Sequence, residues 1–228
     1  MIIADLSTNW YGDMDLAKEL VLLAKQNGAW AVKGQLYSTD GLERTPETLK
    51  ELKKCEMTFV QARELFEYGQ KLDIEVFYSV FDASRVEWCE VMSTRRYKIA
   101  ARMLDKKVIN AIAKTKKPVI ASISPRYPRQ VGWADSFYNI DFLYCPSGYP
   151  DSEESVHLSN IDFYGFYSGY SDHFLNIDIC QIVISRGARI IEKHFAIDKS
   201  TGLDARWSMT PLELRILSEW ELIVKKVQ

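Results

Sequence analysis

Eight short runs of β-forming residues, separated by longer stretches with helical periodicity, constrain this chain more than any other feature. The runs are Ile2–Leu6, Ala31–Gln35, Glu75–Ser79, Arg96–Ile99, Val119–Ser122, Asp141–Tyr144, Tyr164–Ser168 and Arg189–Lys193. Between the first two, Met14–Asn27 carries Leu16, Leu20, Leu23 and Ala24 on one helical face, and Asn27-Gly28 stops it. Thr58–Leu72, Asp105–Lys114, Phe174–Ser185 and Thr210–Val227 repeat the pattern. The last opens on Thr210-Pro211-Leu212-Glu213, a capping box with proline at the first helical position. Gln130–Asn139 and Ser155–Ile161 are poor helix formers, so units five and six are expected to be shortened. Strands alternating with helices imply βαβ units and a parallel sheet. Eight of them within 228 residues predict a compact (β/α)8 TIM barrel, an α/β fold in a single domain over 1–228. The rival, an open doubly wound sheet, calls for a Gly-rich phosphate turn after an early strand, and no GxGxxG or Walker pattern occurs.

The charge balance narrows the partners. With 29 Lys and Arg against 31 Asp and Glu, the net charge of −2 exerts no general pull on nucleic acid or an anionic membrane. No uninterrupted apolar stretch approaches the ~18 residues that span a bilayer, and the chain opens on Met1-Ile2-Ile3-Ala4-Asp5 without a basic leader. Cys55, Cys89, Cys145 and Cys180 form no CxxC pair and read as reduced thiols, which points to a cytoplasmic protein.

A parallel barrel places its active site at the carboxyl ends of its strands. Here those ends are polar: Asp5, Lys33 and Gln35, Ser79, Lys98, Ser122, Tyr144 and Cys145, Ser171-Asp172-His173, and Glu192-Lys193-His194. A lysine inside a short apolar strand is costly unless it meets an anion or solvent. Two of them, Lys33 and Lys98, converging on one mouth with serine hydroxyls beside them suit a phosphate and a carboxylate. Any one polar strand end also reads as a cap or a solvated side chain. Of the three histidines, His173 and His194 end consecutive strands, where two imidazoles can reach one divalent ion; a lone histidine is more often structural. His157 lies in a polar loop and is expected to be solvated.

Several motifs, in order along the chain, resemble the sialic acid synthases (N-acetylneuraminate synthase and its legionaminic and pseudaminic acid relatives). They are Ile3-Ala4-Asp5 with Asn9 and Gly12-Asp13, Gly28-Ala29-Trp30-Ala31-Val32-Lys33-Gly34-Gln35, Tyr97-Lys98-Ile99, and Lys117-Pro118-Val119-Ile120-Ala121-Ser122. The most specific are Gly169-Tyr170-Ser171-Asp172-His173 and Ile191-Glu192-Lys193-His194-Phe195, followed by Gly202-Leu203-Asp204 and Ser208-Met209. The resemblance implies an enzyme that condenses phosphoenolpyruvate (PEP) with an N-acetylmannosamine-type amino-sugar aldose, assisted by a divalent metal, typically manganese. It implies that His173 and His194 hold the metal; that Lys33, Lys98, Ser122, Tyr149 and Ser171 hold PEP; and that Gln35 and Asp204 face the sugar.

Departures from the pattern bear on catalysis. The family's strand-four glutamate, its proposed acid/base, is Met103 here, and the serine beside it is Ala101. The first-strand glutamate is Asp5, a following histidine is Trp10, and an expected asparagine falls at Ser147. The catalytic candidates are therefore Asp5, Asp172 and Lys98, with Asp5, Asp172 or a metal-bound water doing the proton work. Arg102 is new at the rim and suits an additional phosphate or carboxylate. The family's small C-terminal antifreeze-like domain is expected to be absent; either another polypeptide supplies its wall of the sugar site, or Arg102, Arg126 or Arg206 substitutes for its arginine, or the substrate is different. The partners that the resemblance leaves open are a homodimer or a separate chain carrying that domain. Two other readings stand beside the synthase. One is a non-catalytic barrel that binds an acidic or phosphorylated sugar or partners an active homologue. The other is an aldolase with Lys33 or Lys98 as Schiff-base nucleophile.

Overall fold

In the computed structural model the chain forms one closed barrel of eight parallel strands in sequence order. The structure describes residues 1–228 except 41, 43, 104, 126, 127, 147, 150–156, 160, 201 and 228, and omits the side chains of 128–131. The expectations placed on Arg126 and Ser147 therefore lie outside that description, as do residues 155, 156 and 160 of the expected poor helix Ser155–Ile161. The strands are β1 (Ile2–Asp5), β2 (Ala31–Leu36), β3 (Glu75–Val80), β4 (Tyr97–Ile99), β5 (Val119–Ile123), β6 (Ile140–Tyr144), β7 (Gly169–Asp172) and β8 (Ile190–His194). The helices are α1 (Met14–Gln26), α2 (Pro46–Lys54), α3 (Phe59–Lys71), α4 (Ser84–Met92), α5 (Lys106–Thr115), α6 (Asp178–Ser185) and α7 (Pro211–Val227). A 3₁₀ helix, Pro128–Ser136, follows β5 where a full helix was not expected.

Local sequence explains most of these elements. Asp13 caps α1 by accepting from the Asp15 and Leu16 amides, and α1 buries Ala17, Leu20, Val21 and Ala24 at helical spacing. Thr58 and Gln61 form a reciprocal capping box on α3. Two helices, α2 and α4, were not read from the sequence. Thr45-Pro46 at the start of α2 carries the same cap-then-proline signal as α7, whereas α4 has no side-chain cap.

Strand seven departs from expectation. Tyr164–Ser168 looks like a strand because its aromatics alternate, but the Asp162 carboxylate accepts from the Tyr164 and Gly165 amides at 3.0 Å each and folds the chain into a turn. Phe166 then stacks on Phe142 with centroids 4.8 Å apart. The strand starts five residues later, at Gly169, where a Cβ would stand 1.8 Å from the Ile190 carbonyl oxygen. Only glycine lets β7 approach β8 this closely. Helix α6 likewise starts at Asp178, not Phe174, because the Asp172 side chain and Lys193 hold the Phe174 amide and carbonyl in a bend.

The strands separate two apolar regions. Outward-facing residues such as Ala4, Val32, Tyr78, Ile99, Ala121 and Ile191 pack with the helices in the large core. Inside the barrel, Ile3, Ala31, Phe77, Ile120, Leu143 and Ile190 form a separate apolar floor. A strand turns every second side chain to the same face. The residues two further along these strands therefore stand above the floor on the inside: Asp5, Lys33, Ser79, Ser122, Cys145 and Glu192.

Candidate active site

Two buried lysines dominate the layer above the floor, Lys33 at 3% exposure and Lys98 at 1%. Lys33 Nζ lies 3.0 Å from Asp5 Oδ2 and 3.5 Å from Glu192 Oε2, and it donates to Ser79 Oγ at 2.9 Å. Lys98 Nζ lies 3.5 Å from Glu192 Oε1 and donates to Ser122 Oγ and the Ile99 carbonyl. Glu192 is thus shared by the two ammonium groups, and Ser171 Oγ donates to its Oε1 at 2.9 Å. Two carboxylates facing two ammoniums keep the interior near neutrality, which makes the burial tolerable.

The electrostatics follow from that arrangement. Burial pushes the Asp5 and Glu192 carboxyls up, but Lys33 and His194 together for Asp5, and Lys33 and Lys98 together for Glu192, outweigh it and hold both below the usual range. Lys33 is held above the usual lysine value because Asp5 and Glu192 together outweigh its burial. Lys98 is lowered, burial being the largest influence on it, with Glu192 pulling the other way.

The histidines stand at the mouth. His173 and His194 meet edge to face with centroids 5.1 Å apart. His194 pairs with Asp5 across the β1–β8 seam, and its Nδ1 lies 3.1 Å from Asp5 Oδ2. Tyr149, half-exposed, places its hydroxyl 3.2 Å from His194 Nε2 and 3.3 Å from Asp204 Oδ1. Its ring also meets Trp207 at 4.8 Å. Asp204 accepts from Ser7 and Thr8, and Gln35 Nε2 donates to Ser7 Oγ. Gln35, Ser7, Asp204 and Tyr149 thereby form one connected wall above the lysines.

Among the described residues, no group of three or more His, Cys, Asp or Glu side chains is arranged to hold a metal ion. The two imidazoles nevertheless suit a divalent ion that takes two nitrogen ligands and completes its shell with oxygens from substrate or water. His173 Nδ1 is buried without a hydrogen-bond partner. Burial, then His194, pushes its pKa down to about 4, which leaves a neutral donor at pH 7. On His194, the Asp5 carboxylate lies close to Nδ1 without an aligned hydrogen bond, and its charge favours a proton on that nitrogen, which would leave the lone pair on Nε2.

The structure does not bring every anticipated residue together. Asp172, expected as a catalytic candidate, points out of the barrel. Strand alternation puts Ser171 inside and Asp172 outside, where it is wholly buried in an ion pair with Lys193 and accepts from Cys180 Sγ. Arg102 is exposed and lies over the Phe81 ring at 5.5 Å. Met103 is buried in the outer core. Arg206 is exposed, with its guanidinium 5.6 Å from the Trp207 ring centroid. Glu192, at the centre of the lysine pair, was not among the candidates, although its two-residue spacing from His194 places both on one strand face.

Comparison with known proteins bears on the family and the fold. Residues 20–227 match the NeuB family. A Methanocaldococcus jannaschii protein of uncharacterised function is 33% identical, over 99% of this chain and 71% of its own length. The pseudaminic acid synthase of Helicobacter pylori is 32% identical, over 87% of this chain and 66% of its own. Among solved structures, the N-acetylneuraminic acid synthetase of Leptospira borgpetersenii serovar Hardjo-bovis, in complex with citrate, superposes with a TM-score of 0.92 at 28% identity. That superposition covers 99% of this chain and 84% of the other. The chain spans about two thirds of the length of the two curated relatives. A barrel with this interior, matched over nearly all of its length, belongs to the NeuB family.

Proposed function

We propose that this barrel condenses phosphoenolpyruvate with an N-acetylhexosamine-type aldose to give a 2-keto sugar acid and inorganic phosphate. The observation that carries the reading is the pair Lys33 and Lys98, buried on the barrel axis with Glu192 between them. An incoming PEP presents a phosphate and a carboxylate to two ammoniums and to the hydroxyls of Ser79, Ser122 and Ser171, so positioning of the anion is a large share of the catalysis. Citrate in the Leptospira structure is a small polycarboxylate of comparable charge.

The connected wall of Gln35, Ser7, Asp204 and Tyr149 offers donors and acceptors suited to sugar hydroxyls. Arg102, at the rim, supplies a further cation for an acidic or phosphorylated substrate. His173 and His194 would hold a divalent metal, manganese in the first instance, which when bound supplies Lewis-acid polarisation of the aldehyde oxygen. In the reaction, C3 of PEP forms a bond to the aldehyde carbon, water adds at C2, and the C2–O bond to phosphate breaks. Asp5 and Glu192, held ionised beside the lysines, stabilise the positive charge that develops at C2. Lys98, its ammonium lowered chiefly by burial, is the interior group best placed to release a proton. Asp172, paired outside the barrel, takes no part in this scheme.

The test is phosphate release from PEP, measured with a panel of N-acetylhexosamines and divalent metals. Release that requires both the sugar and a metal is expected; none across the panel would overturn the enzymatic reading. One observation favours a second reading, in which the barrel binds an acidic sugar without turnover. Met103, where the family has an ionisable group, is apolar and packed into the outer core. Under that reading PEP binds at equilibrium and no phosphate appears.

A further inference from the structure

The ion pair of Asp172 and Lys193 sits on the outer face of the sheet with both side chains at 0% exposure. Stability alone does not account for it. A buried pair gives up the hydration of two charges, and apolar side chains of similar size often hold such a place as well or better. What the pair does, and apolar side chains could not do, is hold backbone. Asp172 Oδ1 accepts from the Phe174 amide at 3.2 Å, and Lys193 Nζ donates to the Phe174 carbonyl at 2.6 Å. Buried backbone groups need such partners, and here one ion pair serves both groups of one residue. Cys180 of α6 donates to Asp172 Oδ2 at 3.3 Å and braces the carboxylate from the helix side.

The clamp lies directly behind the mouth. Asp172 and Lys193 are register partners on β7 and β8, and each is followed in the chain by one of the two mouth histidines. The two imidazoles are held differently. His194 is the last residue of β8 and pairs with Asp5 in the ladder. His173 lies past the end of β7, and its Nδ1 has no hydrogen-bond partner. Its place is therefore set through its backbone, between Asp172 in the sheet and Phe174 in the clamp. The rings stand with centroids 5.1 Å apart, and two ligands of one ion bind best when that spacing is fixed before the ion arrives. We infer that Asp172 and Lys193 are positioning residues: their ion pair outside the barrel fixes the backbone that carries His173, and with it the spacing of the two imidazoles. The inference rests on the reading of His173 and His194 as metal ligands.

The experiment compares wild type with Asp172→Leu/Lys193→Met, which removes both charges together and so leaves neither buried alone. Manganese affinity, read as free ion by electron paramagnetic resonance, is expected to fall by about 10- to 100-fold. Affinity for PEP measured without metal is expected to be unchanged, because Lys33 and Lys98 are untouched; a general distortion of the barrel would lower both. Asp172→Asn/Lys193→Met, which keeps an oxygen for the Phe174 amide, is expected to retain more manganese affinity than the first variant. It also carries the comparison should the first variant not fold. In the metal-free wild type, hydrogen exchange read by NMR is expected to show a protected Phe174 amide. Free exchange of that amide would overturn the proposal without any variant. Wild-type manganese affinity in the folded double variants, with affinity lost in His173→Ala, would overturn this proposal alone. A wild type that takes up no manganese, or a His173→Ala variant that binds it equally well, would overturn the metal reading of the mouth and this proposal with it.

Discussion

Asp5 Oδ2 lies 3.1 Å from His194 Nδ1 across the seam where the first and last strands close the barrel. The same carboxylate oxygen lies 3.0 Å from Lys33 Nζ. One side chain therefore joins the histidines at the mouth to the lysines below them.

Loss of that carboxylate should weaken metal binding without removing a ligand. Asp5→Asn is expected to lower manganese affinity by about 10- to 100-fold, the usual effect of deleting a carboxylate that orients a ligating histidine. Titration followed by electron paramagnetic resonance reads the free ion directly. An unchanged affinity would place the metal away from His194.

The shared position of Glu192 makes its two lysine contacts interdependent. Lys98→Met should cost about 3 kcal/mol or more in a urea titration, because it leaves a buried charge short of its partner. Adding Glu192→Gln should recover part of that loss, since Lys33 keeps Asp5. Both variants should lose PEP binding, which separates the stability effect from the ligand effect.

Acid should destabilise the barrel through the same groups. Asp5 and Glu192 titrate below their unfolded values of about 4. Their contribution is present in full above that pH and is lost as pH falls through the folded-state values. Between pH 7 and pH 3 the urea midpoint of the wild type should fall, and that of Glu192→Gln should fall less steeply.

Gly169 should tolerate no side chain. In Gly169→Ala the new Cβ meets the Ile190 carbonyl at 1.8 Å and must push β7 away from β8. The expected cost is about 3 kcal/mol, at the upper end for overpacking. Thermal unfolding within a degree of wild type would contradict the close approach.

Much of the barrel was legible in the sequence because each strand is a short run bounded by a strong local signal. The exception shows the limit of local reading. Tyr164–Ser168 has the alternation of a strand, but the Asp162 turn and the packing of Phe166 on Phe142 take it out of the sheet. Helix α4, without a side-chain cap, forms where its buried Val86, Cys89 and Met92 meet the barrel, a contact that local propensity does not encode.

The site divides in the same way. The sequence by itself determined that lysines, serines and histidines stand at the strand ends, because strand position and period are local properties of the chain. Only the tertiary structure decided which of them meet. Closure of the sheet brought Asp5 of β1 to His194 of β8, and Lys33 and Lys98 to opposite sides of Glu192. Strand alternation in the real register turned Asp172 outward to Lys193 and left Ser171 inside. The physical reason is that burying a charge in a barrel depends on its partners, and those partners come from strands as far apart in the chain as Asp5 and His194.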